Sequence, residues 1–327
     1  CVRGRAYLRR QYHPDRLQHP LKRVGERGEG RFERISWDEA LDTVAGQMQR
    51  IKETYGNSAL FVPYGTGSYN QLNGSQTARR LMNLFGGCLG IYDSYSWAAI
   101  NAATPTVYGT LHTGNRRQDW QNARYILMWG WNPAEMRDGT NSDYFVKLAR
   151  EKGARVVCID PRHTLSAASL ADEWLPIRPG TDLSFLLGVL HFIFRKDYIN
   201  KEYLPKTNLD ALIDPETLLP VKMDKDATPQ DYLVFDTATQ SFVMSRKATK
   251  PAYVGLYDYN GTMVQPAMEL LKKSLLDLDP EKLSEICTIP VSKMEGVADK
   301  LHGAAPKAFV EIGYRFTRHT TDLRAQI

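Results

Sequence analysis

The clearest pattern in the chain is an amphipathic helix that begins at Ser36. Ser36 and Glu39 stand at the spacing of a capping box, and apolar residues then recur every three or four positions as far as Gly56. Just before this segment, short apolar pairs flank glycine-rich turn signals around Gly28 to Gly30. The pattern therefore predicts a β-hairpin that leads directly into a helix.

Beyond that helix, short strand-like runs alternate with helical ones. The strand-like runs are "ALFVPYG", "RYILMWG", "RVVCIDP" and "KAFVEIG", and the helical ones are "TARRLMNLFG", "SDYFVKLAREKG", "DLSFLLGVLHFIF" and residues 291–301. Such alternation is typical of βαβ units and predicts an α/β fold with doubly wound, mostly parallel sheets. We expect the charged stretch 208–251 to be a surface excursion with a hairpin around residues 237–240.

Composition narrows the class of protein. The 327 residues are 43% hydrophobic and 24% charged, which is typical of a globular protein large enough for two cores. The longest apolar run, 183–194, is interrupted by Gly188 and His191 and is shorter than the roughly 20 residues that span a bilayer. The net charge is +5, but no nucleic-acid-binding motif accompanies the arginines near the N-terminus. We expect no direct membrane span and no nucleic-acid partner.

The loops that follow the strand-like runs carry the candidate chemistry. They read "YGTGSYN", "WGWNPAEMR", "IDPRHT", "RPGTD" and "GYRFTRH". In an open α/β sheet, ligands bind outside the carboxyl ends of the strands, so several such loops can converge on one phosphate-bearing cofactor. Gly65 and Gly67 suit close approach of backbone amides to a phosphate, although a tight turn needs the same residues.

Two acidic residues in these loops allow two interpretations each. Asp160 and Arg162 could meet the ribose and phosphate of a nucleotide, or could form a helix cap with a surface ion pair. Asp182 could cap the apolar helix that follows it, or accept two hydrogen bonds from the edge of a guanine. The residues alone leave both alternatives open.

Taken in order, the motifs resemble the dimethyl sulfoxide reductase family of molybdopterin guanine dinucleotide oxidoreductases. The matching stretches are "CVRGR", "YHPDRL", "HPLKRVGERGEGRFERISWDEAL", "YGTG", "TARRLMN", "SYS", "NPAE", "IDPR" and "DEWLPIRPGTD", over positions 1 to 182. Residues 23–41 resemble the anaerobic dimethyl sulfoxide reductase catalytic subunit in particular. Beyond position 182 the resemblance is thinner.

The resemblance implies a 4Fe–4S cluster held by four thiolates in an N-terminal module. Cys1 matches the fourth ligand, and we expect the other three upstream of this chain. Arg3 matches a basic residue between cluster and pterin that aids electron transfer, although it could equally be a solvated arginine. Cys88, Cys158 and Cys287 have no metal-site spacing and match no cluster position, so we expect them to be buried, inert thiols.

The stretch "IYDSYSWAAI" matches the segment that supplies a protein ligand to molybdenum in this family. By that match the ligand is Ser96, a hard oxygen donor suited to a high-valent metal. Ser94 and Asp93 are close enough in sequence to be alternatives, and Ser96 could instead cap a helix in "SWAAINAA".

The cofactor implied is molybdenum bis(molybdopterin guanine dinucleotide). Its contacts fall on the strand-end loops: pterin and phosphate on Gly65, Thr66 and Gly67, the dinucleotide on Asn132, Pro133 and Glu135, and ribose or guanine on Asp160, Arg162 and Asp182. We expect residues 1–55 to be a remnant of the cluster module, 56–115 part of an α/β domain with the metal ligand, and 116–327 an α/β dinucleotide-binding domain.

The resemblance implies the N-terminal fragment of a catalytic subunit that transfers an oxygen atom from an S-oxide or N-oxide substrate during anaerobic respiration. The implied partners are an iron–sulfur electron-transfer subunit, together with a membrane anchor subunit. For the full-length protein, an exported, membrane-associated location is implied. The alternatives are a molybdenum-free structural subunit of a respiratory complex and a dehydrogenase of the same family. A nicotinamide dehydrogenase is disfavoured, because no complete GxGxxG with a downstream acidic residue is present.

Overall fold

A computed structural model describes residues 2–63, 74–91, 98–111, 114–135, 141–222 and 231–312. The chain divides into two compact units, Cys1–Ser94 and Tyr95–Ile327. None of the helices within the described ranges is both long and apolar enough to cross a membrane.

The first unit contains the predicted hairpin and helix. Its elements are α1 (Val2–Gln11), β1 (Leu21–Arg23), β2 (Phe32–Arg34), α2 (Trp37–Tyr55) and α3 (Gly74–Phe85). Strands β1 and β2 pair antiparallel. The Ser36 hydroxyl accepts the Glu39 backbone N–H at 3.0 Å, and Gly56, with φ of 80°, ends α2. Both predictions are confirmed.

Packing in the first unit is sparse. No residue of α2 is buried, and the end of α2 is tied to the end of α3 by Lys52 Nζ, which donates to the Phe85 carbonyl at 2.7 Å. The run "ALFVPYG" was expected to be a strand, but among its described residues it forms a single parallel bridge, Phe61 to Leu89. A bridge of one residue pair gives this run too few ladder hydrogen bonds to count as a strand.

The second unit is built on a four-stranded parallel sheet. Its strands are β3 (Tyr125–Trp129), β4 (Arg155–Ile159), β5 (Glu173–Leu175) and β11 (Ala308–Ile312), in the order β11-β3-β4-β5. Every neighbouring pair is parallel. All five residues of β3 are buried, as expected for a strand covered on both faces. The predicted α/β class with parallel strands is confirmed.

Helices cover both faces of this sheet. They are α5 (Ser142–Glu151), α6 (Leu165–Leu170), α7 (Asp182–Arg195) and α10 (Val291–Ala304), with α4 (Ala98–Tyr108), α8 (Ala267–Leu276) and α9 (Pro280–Cys287) elsewhere in the unit. Leu127 of β3 packs in one cluster with Phe185 of α7 and Met294 of α10. Its neighbour Ile126 packs in the other cluster, with Val146 of α5. Alternate residues of one strand thus reach the two cores.

The excursion is longer and better packed than expected. It contains β6 (Leu212–Ile213), β7 (Leu233–Asp236), β8 (Ser241–Met244), β9 (Tyr257–Tyr259) and β10 (Thr262–Pro266). The predicted hairpin is the antiparallel pair β7 and β8. Leu212, Leu233 and Val264 form a separate buried cluster in this region. The excursion therefore has its own small core, which could not be predicted from the charged composition of the stretch.

The thiols fit the prediction in two cases of three. Cys158, in β4, and Cys287, at the end of α9, are fully buried, but Cys88 is only half-buried. Cys88 lies beyond the end of α3, in irregular chain just before the bridge residue Leu89. The expectation that all three are buried is wrong for Cys88.

Candidate functional site at the carboxyl edge of the parallel sheet

Three loops leave the parallel sheet at the same edge. They are residues 130–135 after β3, 160–164 after β4 and 176–181 after β5. The Gly130 N–H donates to the Ile159 carbonyl at 2.8 Å, and the Asp160 N–H donates to the Leu175 carbonyl at 3.2 Å. These bonds extend the strand pairing by one residue, so the loops begin side by side. Gly130 then turns the chain with a φ of 58°, which favours glycine.

Four of the predicted cofactor-binding residues form one hydrogen-bonded network across two of these loops. The Glu135 carboxylate accepts a short hydrogen bond from Asn132 Nδ2 and lies 3.5 Å from Arg162 Nη2. The Arg162 backbone N–H donates in turn to Asp160 Oδ1 at 2.9 Å. The loops after β3 and β4 are thereby connected by charged and polar side chains. Pro133, the remaining predicted residue of the first loop, is buried.

Asp182 follows the third loop directly, at the start of α7. Thr181 occupies the N-cap position of α7 and Asp182 is the first helical residue, so the helix-cap interpretation of Asp182 is wrong in that detail. A carboxylate in the first turn of a helix is stabilised by the helix dipole. The indole N–H of Trp129, the last residue of β3, donates to Asp182 Oδ1 at 2.6 Å. This bond ties the carboxylate to the edge of the sheet.

A residue that sequence reasoning missed is Ser166, in α6. Its hydroxyl donates to Asn132 Oδ1 at 2.6 Å and accepts the Ala134 backbone N–H at 2.9 Å. The Ser166 backbone N–H also points at Asn132 Oδ1, at 3.3 Å. Ser166 is fully buried. The sequence contains one signal, because an amide such as that of Asn132, soon after a buried strand, needs a hydrogen-bond partner. Nothing in the sequence indicates which residue is that partner.

The charged groups at this edge are accessible, whereas the nearby thiol is not reactive. The side chains of Glu135 and Arg162 are 48% and 66% exposed. Burial raises the pKa of the Cys158 thiol to about 12, and the charge of Asp160 adds to the effect. Cys158 therefore stays neutral at physiological pH. The edge offers carboxylates and a guanidinium group to a ligand.

Several predicted residues lie outside the described ranges. Cys1, Gly65, Thr66, Gly67 and Ser96 belong to this group, and their roles stay predictions. Arg3 lies in the first turn of α1. Within the described ranges, no group of three or more His, Cys, Asp or Glu side chains is placed to hold a metal ion.

Comparison with known proteins shows the family to which the chain belongs. A family model described as "Molybdopterin oxidoreductase" matches residues 16–325, so the chain belongs to the molybdopterin oxidoreductase family.

Two curated relatives show which members of the family the chain resembles. The chain is 46% identical, over 213 residues, to the putative dimethyl sulfoxide reductase chain YnfE of Escherichia coli, covering 63% of this chain and 26% of that protein. It is 44% identical, over 237 residues, to the probable dimethyl sulfoxide reductase chain YnfF of the same organism, covering 72% of this chain and 29% of that protein. The chain thus spans little more than a quarter of the length of these relatives. The resemblance to dimethyl sulfoxide reductases is confirmed.

A solved structure shares the fold. The acetylene hydratase of Pelobacter acetylenicus superposes with a TM-score of 0.64 over 100% of this chain and 36% of that chain, at 23% sequence identity. At this identity the likeness concerns the fold alone.

Proposed function

We propose that this chain forms the part of a molybdopterin oxidoreductase catalytic subunit that binds a guanine dinucleotide arm of the cofactor at the carboxyl edge of β3, β4 and β5. The observation that carries the proposal is the arrangement of Asp160, Arg162 and Asp182 on adjacent strand-end loops, with Glu135 linked to Arg162. In open α/β sheets this edge is the place where nucleotides bind.

The chemistry of these side chains fits such an arm. Arg162 presents a planar guanidinium group that can bind phosphate oxygens through two parallel hydrogen bonds. The Asp160 carboxylate suits the hydroxyl groups of a ribose, and two carboxylate oxygens of Asp182 match two N–H donors on the edge of a guanine. The loop carbonyls and amides supply further partners. The donor set is that of a polar, phosphate-bearing organic ligand, and the residues present fit the group.

The loaded cofactor would supply the two-electron chemistry of oxygen-atom transfer, and the protein groups would hold and orient it. The indole of Trp129 holds the Asp182 carboxylate at this edge of the sheet. The Asn132 side chain holds the Glu135 carboxylate, which in turn holds the Arg162 guanidinium group. We propose reduction of an S-oxide or N-oxide as the reaction, supported by the names of the relatives. Anaerobic respiration, a 4Fe–4S cluster with Cys1 as ligand, Arg3 beside the pterin and Ser96 on the metal are further parts of the proposal, supported by motif resemblance.

The experiment is elemental and nucleotide analysis of the whole protein as purified from cells. We expect molybdenum and, after acid hydrolysis, stoichiometric guanosine monophosphate, together with dimethyl sulfoxide reduction driven by a reduced viologen dye. Asp182→Ala should lower the guanosine content without changing the far-ultraviolet circular dichroism. A wild-type protein that holds neither molybdenum, tungsten nor guanosine would overturn the proposal. Full activity in Ser96→Ala would remove Ser96 as the metal ligand.

A further inference from the structure

Ser166 is the buried junction between the loop after β3 and the helix after β4. It is fully buried in the second unit, and its two polar groups make three hydrogen bonds to Asn132 and Ala134. Because Asn132 and Glu135 stand among the residues proposed to hold the cofactor, the role of Ser166 follows from what it does to their side chains.

The bonds to Ser166 fix the orientation of the Asn132 amide. The Ser166 backbone N–H can only donate, so the group that faces it must be Asn132 Oδ1. The Glu135 carboxylate can only accept, so the group that faces it must be Asn132 Nδ2. The Ser166 hydroxyl accepts the Ala134 N–H and so directs its own hydrogen at Asn132 Oδ1. Each donor and acceptor in this series of bonds has one possible direction.

The oriented Asn132 amide in turn positions the charged side chains at the edge. Asn132 Nδ2 holds the Glu135 carboxylate, and the same carboxylate oxygen faces Arg162 Nη2 at 3.5 Å. Glu135 and Arg162 are both long, exposed side chains that would otherwise sample several rotamers. A buried hydroxyl therefore reduces the freedom of two exposed groups, as outer hydrogen-bond partners do for the ligands of metal sites.

We propose that Ser166 is a positioning residue for the cofactor-binding edge: its hydroxyl sets the Asn132 amide and, through it, the Glu135 carboxylate and Arg162 guanidinium. The proposal rests on the proposed function for the identity of the ligand. The geometry of the loop itself, residues 130–135, does not depend on that identity, so the two can be tested apart.

The test compares Ser166→Ala with two matched variants of the same short helix. Thr164 Oγ1 accepts the Ala167 N–H and caps α6, so Thr164→Ala weakens the helix without removing a bond to Asn132. Ser169 Oγ bonds to the Leu165 carbonyl, so Ser169→Ala removes a serine hydroxyl that does not contact the loop. All three are made in the whole protein, and each is scored by Tm, by guanosine content over time after dilution, and by hydrogen exchange at the Ala134 amide.

Ser166→Ala should release the guanosine-bearing cofactor about tenfold faster than wild type. It should also speed exchange of the Ala134 amide at least tenfold, because that N–H loses its acceptor. Thr164→Ala, at an equal or larger loss of Tm, should leave both readouts near wild type, as should Ser169→Ala. If Thr164→Ala also released cofactor faster, so that release followed the loss of Tm in both variants, the positioning role of Ser166 would be overturned.

The exchange measurement separates the two proposals. Unchanged protection of the Ala134 amide in Ser166→Ala overturns the positioning role even where the wild type holds cofactor. A wild type that holds no guanosine overturns the proposed function, while faster Ala134 exchange in Ser166→Ala alone would still support the control of the loop by Ser166.

Discussion

Two aspartates at strand ends in the second unit use their carboxylates in different ways. Asp236 ends β7, is 1% exposed, and accepts the backbone N–H groups of Ala238, Thr249 and Lys250 at 2.9, 2.9 and 3.1 Å. Asp160 follows β4, is only partly buried, and accepts one N–H within the described residues, from Arg162. The carboxylate of Asp236 is occupied by backbone donors from its own turn and from the segment after β8, whereas that of Asp160 keeps lone pairs available for a ligand.

The difference distinguishes an acidic residue with a structural role from one that we propose binds a ligand, where the sequence shows only an aspartate at the end of a strand in both cases. Asp182 lies between the two cases, since an indole N–H from Trp129 orients it and the helix dipole of α7 stabilises its charge. A carboxylate that satisfies three backbone donors, as Asp236 does, contributes to stability, and one that accepts one backbone N–H at the sheet edge, as Asp160 does, can still contact a ligand. Removing each carboxylate by mutation, and measuring both stability and guanosine content, tests the comparison.

The largest effects should come from alanine substitution at the two extremes. Asp160→Ala should lower the guanosine content of the purified whole protein at least tenfold while leaving Tm close to wild type, because only one local hydrogen bond is lost. Asp236→Ala should do the reverse, with a clearly lower Tm and normal guanosine content per folded molecule, because three backbone N–H groups lose their acceptor. Nucleotide analysis and differential scanning fluorimetry measure the two quantities. The comparison fails if both variants lose both properties together.

A second prediction concerns pH. The Thr249 N–H, with other backbone N–H groups, holds the pKa of Asp236 below its usual value. A carboxyl whose pKa is lowered on folding stabilises the protein when ionised, so this contribution is present above about pH 4 and is lost as pH falls through the lowered pKa. Asp236→Asn should therefore be less stable than wild type at neutral pH and should converge with it in acid.

Asp210 is the matched control for this pH dependence, because its shift has the opposite sign. Burial raises the pKa of Asp210, although a hydrogen bond from the Tyr232 hydroxyl opposes the effect. The native protein thus gains stability from Asp210 as pH falls through the raised pKa, and Asp210→Asn should remove that gain. Urea denaturation of both variants from pH 3 to pH 7 would contradict the assignment if the two curves changed in the same direction.

A third prediction tests the intermediate case, Asp182. Trp129→Phe removes the indole N–H but keeps an aromatic ring beside Phe185, whose centroid is 5.5 Å from that of Trp129. We expect roughly fivefold faster loss of guanosine, since one hydrogen bond to a charged group is lost. Trp174→Phe is the matched variant, because the Trp174 indole N–H donates to the backbone carbonyl of Asp160 at 2.8 Å and touches no carboxylate. Equal effects in the two variants would count against a special role for the Trp129 bond.

Much of the fold was predictable because it depends on local patterns. The Ser36 cap, the hairpin around Gly28 to Gly30 and three of the four strands of the parallel sheet follow from the spacing of apolar, glycine and capping residues, whereas the short strand β5 was not predicted. The expected strand at "ALFVPYG" was wrong, because the described part of that run makes one bridge and no ladder. The separate core of the excursion was not foreseen, since its apolar residues are spread among charged ones.

The candidate site was predictable only as far as the strand-end rule reaches. That rule and the family motifs pointed to Asp160, Arg162 and Asp182 in loops at one edge. They could not indicate Ser166 or the indole of Trp129, because bonds between residues 34 and 53 positions apart depend on how helices and strands pack. Partners of this kind leave no periodic signal in the sequence.

The smallest effect is expected at Glu135, which tests how much the exposed part of the network contributes by itself. Glu135→Gln removes the charge that faces Arg162 but keeps an oxygen to accept the Asn132 Nδ2 hydrogen bond. Exposed ion pairs contribute little, so the free energy of unfolding should change by less than about 0.5 kcal/mol. Guanosine retention should fall by no more than about twofold, because Ser166 and Asn132 still hold the loop. A loss as large as that of Asp160→Ala would show that Glu135 itself contacts the ligand, and would move it from the supporting residues to the binding ones.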